Sequence, residues 1–255
     1  MSLLSRKSLF VEMALLRLRV RYKQSLLGWA WAILPPLVLM ITYTVVFYKV
    51  AGFTTGDLPV ALFIFAGLIP WTFLSTSIST ATAGIVANRY LIVRASFPRE
   101  IIPLSYVATA FVDLGIGSVM LIAMMYWFGF APNLHILYAI PVIGMLGMYG
   151  AAASLCFSSF QARFRDIGVA MPLLLQVAMF ATPVVYSSAA IPQSVAHIYF
   201  LNPLAILVEQ FRQAVVQGIN PNVGDMLYCA IIAVVCLVFS YILFKRLDAT
   251  LADVI

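Results

Sequence analysis

Charged positions divide the chain into long apolar segments. No residue between Lys23 and Lys49 is charged, and none between Asp57 and Arg89. From Ile101 to Gln161 the only formal charge is Asp113. A helix needs roughly 20 apolar residues to cross the hydrocarbon core of a bilayer. The pattern therefore predicts crossings near residues 30–50, 60–85, 103–128 and 136–160, with "GFAPNLH" at 129–135 as the turn between the third and fourth. A fifth runs from Asp166 to about Tyr186 and a sixth from about Met226 to Phe244. Residues 187–225 are neither charged enough for a solvated domain nor continuous enough for a crossing. Pro192, Pro203 and Pro221 break them into short pieces. Asn202 before Pro203 reads as an N-cap with proline at the first helical position. Two short re-entrant helices are expected there, tolerated where protein or a water-filled cavity surrounds them.

The N-terminal stretch has a different period. Val11, Leu15, Leu18 and Tyr22 form one apolar stripe at helical spacing, with Glu12, Arg19 and Lys23 opposite and Arg17 and Arg21 flanking. That predicts an amphipathic helix lying on a membrane surface. The stretch lacks the early apolar core and small-residue cleavage site of a secretory signal, and a nucleic-acid arm has no reason to alternate so regularly with leucine.

Composition agrees with lipid as the solvent: 64% of residues are hydrophobic and 9% charged, where a soluble domain carries about a quarter charged. The net charge of +6 matters through its placement. Thirteen cations fall on one side of a six-crossing chain (Arg6 to Lys23, Arg89, Arg94, Arg99, Arg163, Arg165, Lys245 and Arg246), while only Lys49 and Arg212 fall on the other. By the positive-inside rule both termini are cytoplasmic, and residues 187–225 face outward.

Catalytic signals are absent. There is no phosphate-cradling G-x-x-x-x-G-K-[ST] loop and no Gly-x-Ser-x-Gly elbow. His135 and His197 are far apart, and Cys156, Cys229 and Cys236 lie in apolar stretches with no metal or disulfide spacing. Asp113 is the one charge inside a crossing; either it takes part in function or neighbouring helices satisfy it. Trp29, Trp31, Tyr43, Phe47, Tyr48, Trp71, Phe180 and Tyr186 sit near span ends, where interfacial aromatic belts form. Gly147 with Ala151 and Gly150 with Ser154 fit close helix packing.

"RLRVRYKQSLLGWAWAILPPL", "FPREIIP" (97–103), "RFRDIG" (163–168), "TPVVY" (182–186) and "LNPLA" (201–205) follow one another along the whole chain. Together they resemble the membrane subunit of bacterial ABC exporters of lipid-linked polysaccharide, the permeases for O-antigen, capsular polysaccharide or teichoic acid. The resemblance implies an all-α membrane domain over residues 1–255: interface helix and loop at 1–28, spans one to five at 30–186, the re-entrant segment at 187–225, and span six with a cytoplasmic tail at 226–255. It implies no enzyme activity and no cofactor on this chain, with ATP and Mg on a separate nucleotide-binding subunit. It also implies a homodimer with two such ATPases in the bacterial inner membrane, and an undecaprenyl-type lipid-linked glycan as cargo; no nucleic acid is implied. A permease of the same architecture for drugs or lipids, or more remotely a secondary carrier or membrane enzyme, remains open.

Roles follow residue by residue from that resemblance. Arg17, Arg19, Arg21, Tyr22, Lys23, Ser25, Leu27, Gly28 and Trp29 would form the cytoplasmic entrance, its cations either attracting a pyrophosphate headgroup or anchoring the helix. Arg89, Arg94, Phe97, Pro98 and Arg99, with Arg163, Phe164, Arg165 and Asp166, would couple to the ATPase. Tyr43, Phe47, Phe180 and Tyr186 would line the channel. Thr182, Pro183, Asn202, Pro203, Glu209 and Arg212 would form an outer gate, with Glu209 and Arg212 paired three residues apart on one helical face.

Overall fold

A computed structural model of the chain describes residues 3–23, 27–50, 52, 55, 58–94, 97–188 and 191–254. Among these residues there is no strand. The elements are α1 (Leu3–Lys23), a 3-10 turn (Gly28–Ala32), α2 (Leu34–Tyr43) continued by a π segment (Thr44–Val50), α3 (Val60–Ala87) and α4 (Arg89–Arg94). Next come α5 (Ile101–Trp127), a 3-10 turn (Leu134–Tyr138) leading into α6 (Ala139–Arg163), and α7 (Asp166–Phe180). The chain ends with α8 (Gln193–Tyr199), α9 (Pro203–Arg212) with a π segment (Gln213–Gln217), and α10 (Val223–Val254).

Four helical stretches are long and apolar enough to cross a membrane: Val60–Ala87, Ile101–Trp127, Leu134–Arg163 and Val223–Asp248. They match the second, third, fourth and sixth expected crossings. The first and fifth expected crossings are shorter. Residues 34–50 and α7 extend only about 25 and 22 Å at 1.5 Å per residue, less than the roughly 30 Å hydrocarbon core.

Prolines mark where helices begin. Pro35 and Pro36 in α2, Pro103 in α5, Pro141 in α6 and Pro203 in α9 all fall in the first turn, where the missing N–H is one that has no intrahelical acceptor anyway. Pro70 and Pro172 lie inside α3 and α7, a placement that neighbouring helices make tolerable in membrane proteins.

The core is built around α3. Its residues from Leu62 to Trp71 are buried without a break, as expected of a helix with no polar face in that half. It packs on α5 and α6, and also on α2, α7 and α9, while α10 packs on α6. A second cluster, Ile85, Ile92, Ile102, Leu155, Ala162 and Phe244, closes the end where α3, α5, α6 and α10 meet.

The N-terminal helix also has a protein-facing side. It packs along α5 through Met13, Ala14, Arg17, Leu18 and Tyr22, whereas Val11 and Leu15 are exposed. Of the expected apolar stripe, Leu18 and Tyr22 are covered by protein, while Val11 and Leu15 stay exposed, as a lipid-facing stripe would leave them. Polar partners on α5 hold half-buried Arg17 and exposed Arg21 against that helix.

Candidate functional site

Two polar clusters lie toward opposite ends of α3. Phe63 and Asn88 mark them, about 37 Å apart along the helix at 1.5 Å per residue.

The first joins α1 to α5. Arg21 Nη1 lies 2.6 Å from Asp113 Oδ2, and Tyr22 Oη donates to the other carboxylate oxygen. Burial, and then that hydrogen bond, push the Tyr22 hydroxyl above its ordinary pKa. Arg17 Nε donates to Ser105 Oγ at 2.7 Å, and its guanidinium lies over the Tyr106 ring at 3.5 Å. Asp113 therefore has its partners within the chain. Of the two roles open to it, the geometry provides a carboxylate satisfied by its neighbours.

The four cations of the expected entrance divide into two pairs. Arg17 and Arg21 turn toward α5, while exposed Arg19 and Lys23 line a separate hollow of about 290 Å³ with Leu15, Leu18, Tyr22 and Trp29. Trp29 stacks on Tyr22 with ring centroids 4.4 Å apart. Gly28 makes that return possible: its φ of 50° is a left-handed conformation that costs glycine little. Leu27 leads into this turn and is exposed; Ser25 lies outside the described residues.

The residues expected to couple to an ATPase gather at the same end. α4 carries Arg89 and Arg94, with the Arg94 guanidinium 4.0 Å from the Tyr90 ring centroid. Phe97 packs against the second hydrophobic cluster, and the Pro98 carbonyl accepts from Ile101 N. Arg99 Nη1 donates to the Asp248 carbonyl at 2.6 Å and lies 3.2 Å from its carboxylate; Lys245 Nζ lies 2.8 Å from Glu100 Oε2. The 97–100 turn is thereby docked on the end of α10, contacts the sequence did not announce. Arg163 also has a partner within the chain. Phe164, Arg165 and Asp166 are exposed at the α6–α7 junction.

At the far end, Arg212 is completely buried. Its Nη1 donates to Glu209 Oε2 at 2.7 Å. Nη2 donates to the Pro183 and Val184 carbonyls at 2.5 and 3.0 Å, and Nε to the Phe63 carbonyl at 3.3 Å. The guanidinium also lies over the Phe63 ring at 3.8 Å. A buried charge needs this density of partners to offset its lost hydration. Gly67 leaves the room: a Cβ there would meet the Val184 carbonyl and lie 2.6 Å from Arg212 Nη2. Phe63 and Gly67 were not legible as partners, because nothing in an apolar run marks which carbonyl or glycine an arginine will meet.

The remaining residues of the expected gate make contacts of their own. α7 ends at Phe180, ahead of Pro183, and Thr182 Oγ1 donates to the Ala178 carbonyl at 3.0 Å. The Asn202 side chain caps α9 by accepting from Leu204 N at 3.0 Å, beside Pro203, and its Nδ2 donates to the Ala181 carbonyl at 3.2 Å. Tyr186 Oη donates to the Phe180 carbonyl and also meets Tyr199 Oη, each at 2.8 Å. Among the expected channel aromatics, Tyr43 and Phe47 pack edge to face at 6.0 Å, and Tyr43 Oη reaches Met179 Sδ at 4.0 Å. The structure thus brings α2, the end of α7 and the 181–186 turn together.

Among the described residues no group of three His, Cys, Asp or Glu is placed to hold a metal ion. Long apolar helices with polar clusters at their ends define a multi-pass membrane protein. The chain belongs to the ABC-2 type transporter membrane family, whose model matches residues 10–216. It is 28% identical over 240 residues to the O-antigen export system permease protein RfbA of Klebsiella pneumoniae, covering 93% of this chain and 91% of that protein. The protein of the same name in Myxococcus xanthus is 26% identical over 234 residues, covering 91% of this chain and 89% of that protein. Polysialic acid transport protein KpsM of Escherichia coli is 25% identical over 242 residues, covering 92% of each.

Proposed function

We propose that this chain is the permease subunit of an ATP-driven exporter that moves a lipid-linked polysaccharide of the O-antigen or capsular class across the bacterial inner membrane. The observation that carries this reading is similarity along nearly the whole chain to permeases named for O-antigen and polysialic acid. In this reading two chains pair and bind two copies of a separate ATPase, which holds ATP and Mg. Pairing by symmetry makes a conduit that one chain's few helices cannot enclose.

Residues 34–50 and α7 complete six crossings, with both termini in the cytoplasm, where the positive-inside rule places the arginine-rich end. α2 and α7 face the conduit, with Tyr43, Phe47, Phe180 and Tyr186 offering rings on which sugar faces stack. Arg19, Lys23 and Trp29 flank the entrance. α4 and the 163–166 junction meet the ATPase, and exposed Tyr90, Val93 and Phe164 supply apolar docking area there. α8 and α9, between the fifth and sixth crossings, close the outer end.

The test is co-expression with the nucleotide-binding subunit from the same gene cluster. Glycan should reach the cell surface only when both are present, and native mass measurement should show two permease and two ATPase chains. Export without an ATPase, or a stable complex holding a single permease chain, rejects the proposal.

A further inference from the structure

We propose that Gln161 is the positioning residue of the joint between α6 and α7, holding the 163–166 junction so that a push there turns α7. The inference rests on the reading that an ATPase docks at this junction. α6 ends at Arg163 and α7 begins at Asp166, so Phe164 and Arg165 alone link them. Phe164 is extended, with φ −124° and ψ 95°, and the chain changes direction within that one residue. Gln161 lies in the last turn of α6 and is buried, while residues 164–166 are exposed. Its Nε2 donates to the Arg165 carbonyl at 3.2 Å. The same carbonyl accepts from Gly168 N, also at 3.2 Å. One oxygen thus ties a side chain of α6 to the first turn of α7.

Two further observations single out the amide. Gly168 leaves the space for it: a Cβ there would lie 2.6 Å from Gln161 Nε2 and 2.9 Å from its Cδ and Oε1. Oε1, in turn, is buried and meets no hydrogen-bond donor among the described residues. A buried acceptor without a donor costs stability, and an apolar side chain of the same shape avoids that cost. Packing alone therefore favours methionine at this position. What only the amide supplies is the bond to the Arg165 carbonyl, and local rules of this kind are broken where a protein gives up stability for function.

Little else fixes α7. Among its described residues only Met171 and Met179 are buried, and Val169, Leu173 and Val177 are exposed along its length. Its orientation within one chain is therefore set mainly at its ends. One end is the joint at Gln161; the other runs into the turn whose Pro183 and Val184 carbonyls receive Arg212. A displacement of residues 164–166 is passed through the Arg165 carbonyl to both helices, and α7 carries it about 22 Å toward that turn.

Gln161→Met separates positioning from packing, because it keeps the length of the side chain and removes the amide. In the full-length permease purified alone, it should leave the unfolding temperature unchanged or raise it. It should nevertheless speed amide hydrogen exchange of residues 164–168 about fivefold, the scale of one neutral hydrogen bond. In the complex with its ATPase, the same variant should hydrolyse ATP but export about fivefold less glycan per ATP. Gly168→Ala, which displaces the amide, should lower both the unfolding temperature and that ratio. Adding Gln161→Ala to it should raise the unfolding temperature again but not the ratio, whereas a packing role would recover both. Gly144→Ala, at a position in α6 where a Cβ meets nothing within 4 Å, should change neither. Unchanged exchange in Gln161→Met, an unchanged ratio in that variant, or a ratio restored in the double variant overturns the proposal. Failure of the unmodified complex to export glycan rejects the proposed function instead, and the exchange result still decides whether Gln161 holds the joint.

Discussion

Arg212 and Glu209 form one ion pair, but the pair is not symmetric. Arg212 is fully buried and also donates to three main-chain carbonyls, whereas the Glu209 carboxylate keeps some exposure. Removing Glu209 leaves the guanidinium solvated by those carbonyls. Removing Arg212 strands a carboxylate and frees three carbonyls at once. Arg212→Ala should therefore lower stability by about 3–5 kcal/mol and Glu209→Ala by about 1–3 kcal/mol, read as thermal unfolding in detergent. Both variants should impair export or leak small ions, with the double variant milder than the sum. Equal destabilisation by the two single variants would show that the carbonyls contribute nothing beyond the pair.

At the scale of elements, ion pairs tie together helices that are distant in sequence. Asp113 holds the end of α1 against the middle of α5, so the N-terminal helix is a strap across α5. At the same end, Arg99 joins the turn before α5 to the last turns of α10. Arg99→Asp is expected to uncouple ATP hydrolysis from export while the protein still inserts. Each side chain of the pair is still 22% exposed, so the pair contributes only about 1 kcal/mol and the defect should come from lost positioning. Adding Asp248→Arg to Arg99→Asp should restore coupling, measured as ATP hydrolysed per glycan exported. Coupling that stays lost in the double variant would place the role of Arg99 on the ATPase.

For the whole molecule, the proposed pairing of two chains predicts which exposed apolar surface becomes covered. Val169, Leu173, Val177 and Phe180 recur along one exposed face of α7, and Leu34, Val38 and Ile41 along one of α2. These are the two helices too short to cross comfortably alone. Pairing them across a two-fold axis surrounds them with protein, where irregular and short helices are tolerated. In a background lacking Cys156, Cys229 and Cys236, cysteine at Val177 should cross-link two chains in the membrane, whereas cysteine at Ile231, on the exposed face of α10, should not. The reverse pattern would move the dimer contact to α10.

Much of this architecture was legible from charge spacing alone. The four long helices, the turn at 129–135, the two short helices after Pro192 and the Asn202 cap follow from rules that act within a few residues: apolar length, proline geometry and the needs of a helix N-terminus. The three-residue spacing of Glu209 and Arg212 is a local rule too, and the pair forms. What local rules could not supply is anything that depends on a distant partner. Hydrophobic periodicity gives α1 an apolar stripe for a membrane surface, but it does not reveal that Ser105 and Asp113, about 90 residues away, receive Arg17 and Arg21. An apolar run likewise does not reveal that Phe63 and Gly67 make room for an arginine, or that Asp248 and Lys245 receive the 97–100 turn. A charge in a low-dielectric interior must find its partners wherever the packing of helices brings them. The sequence determines that such partners are needed; only the tertiary structure decides which residues they are.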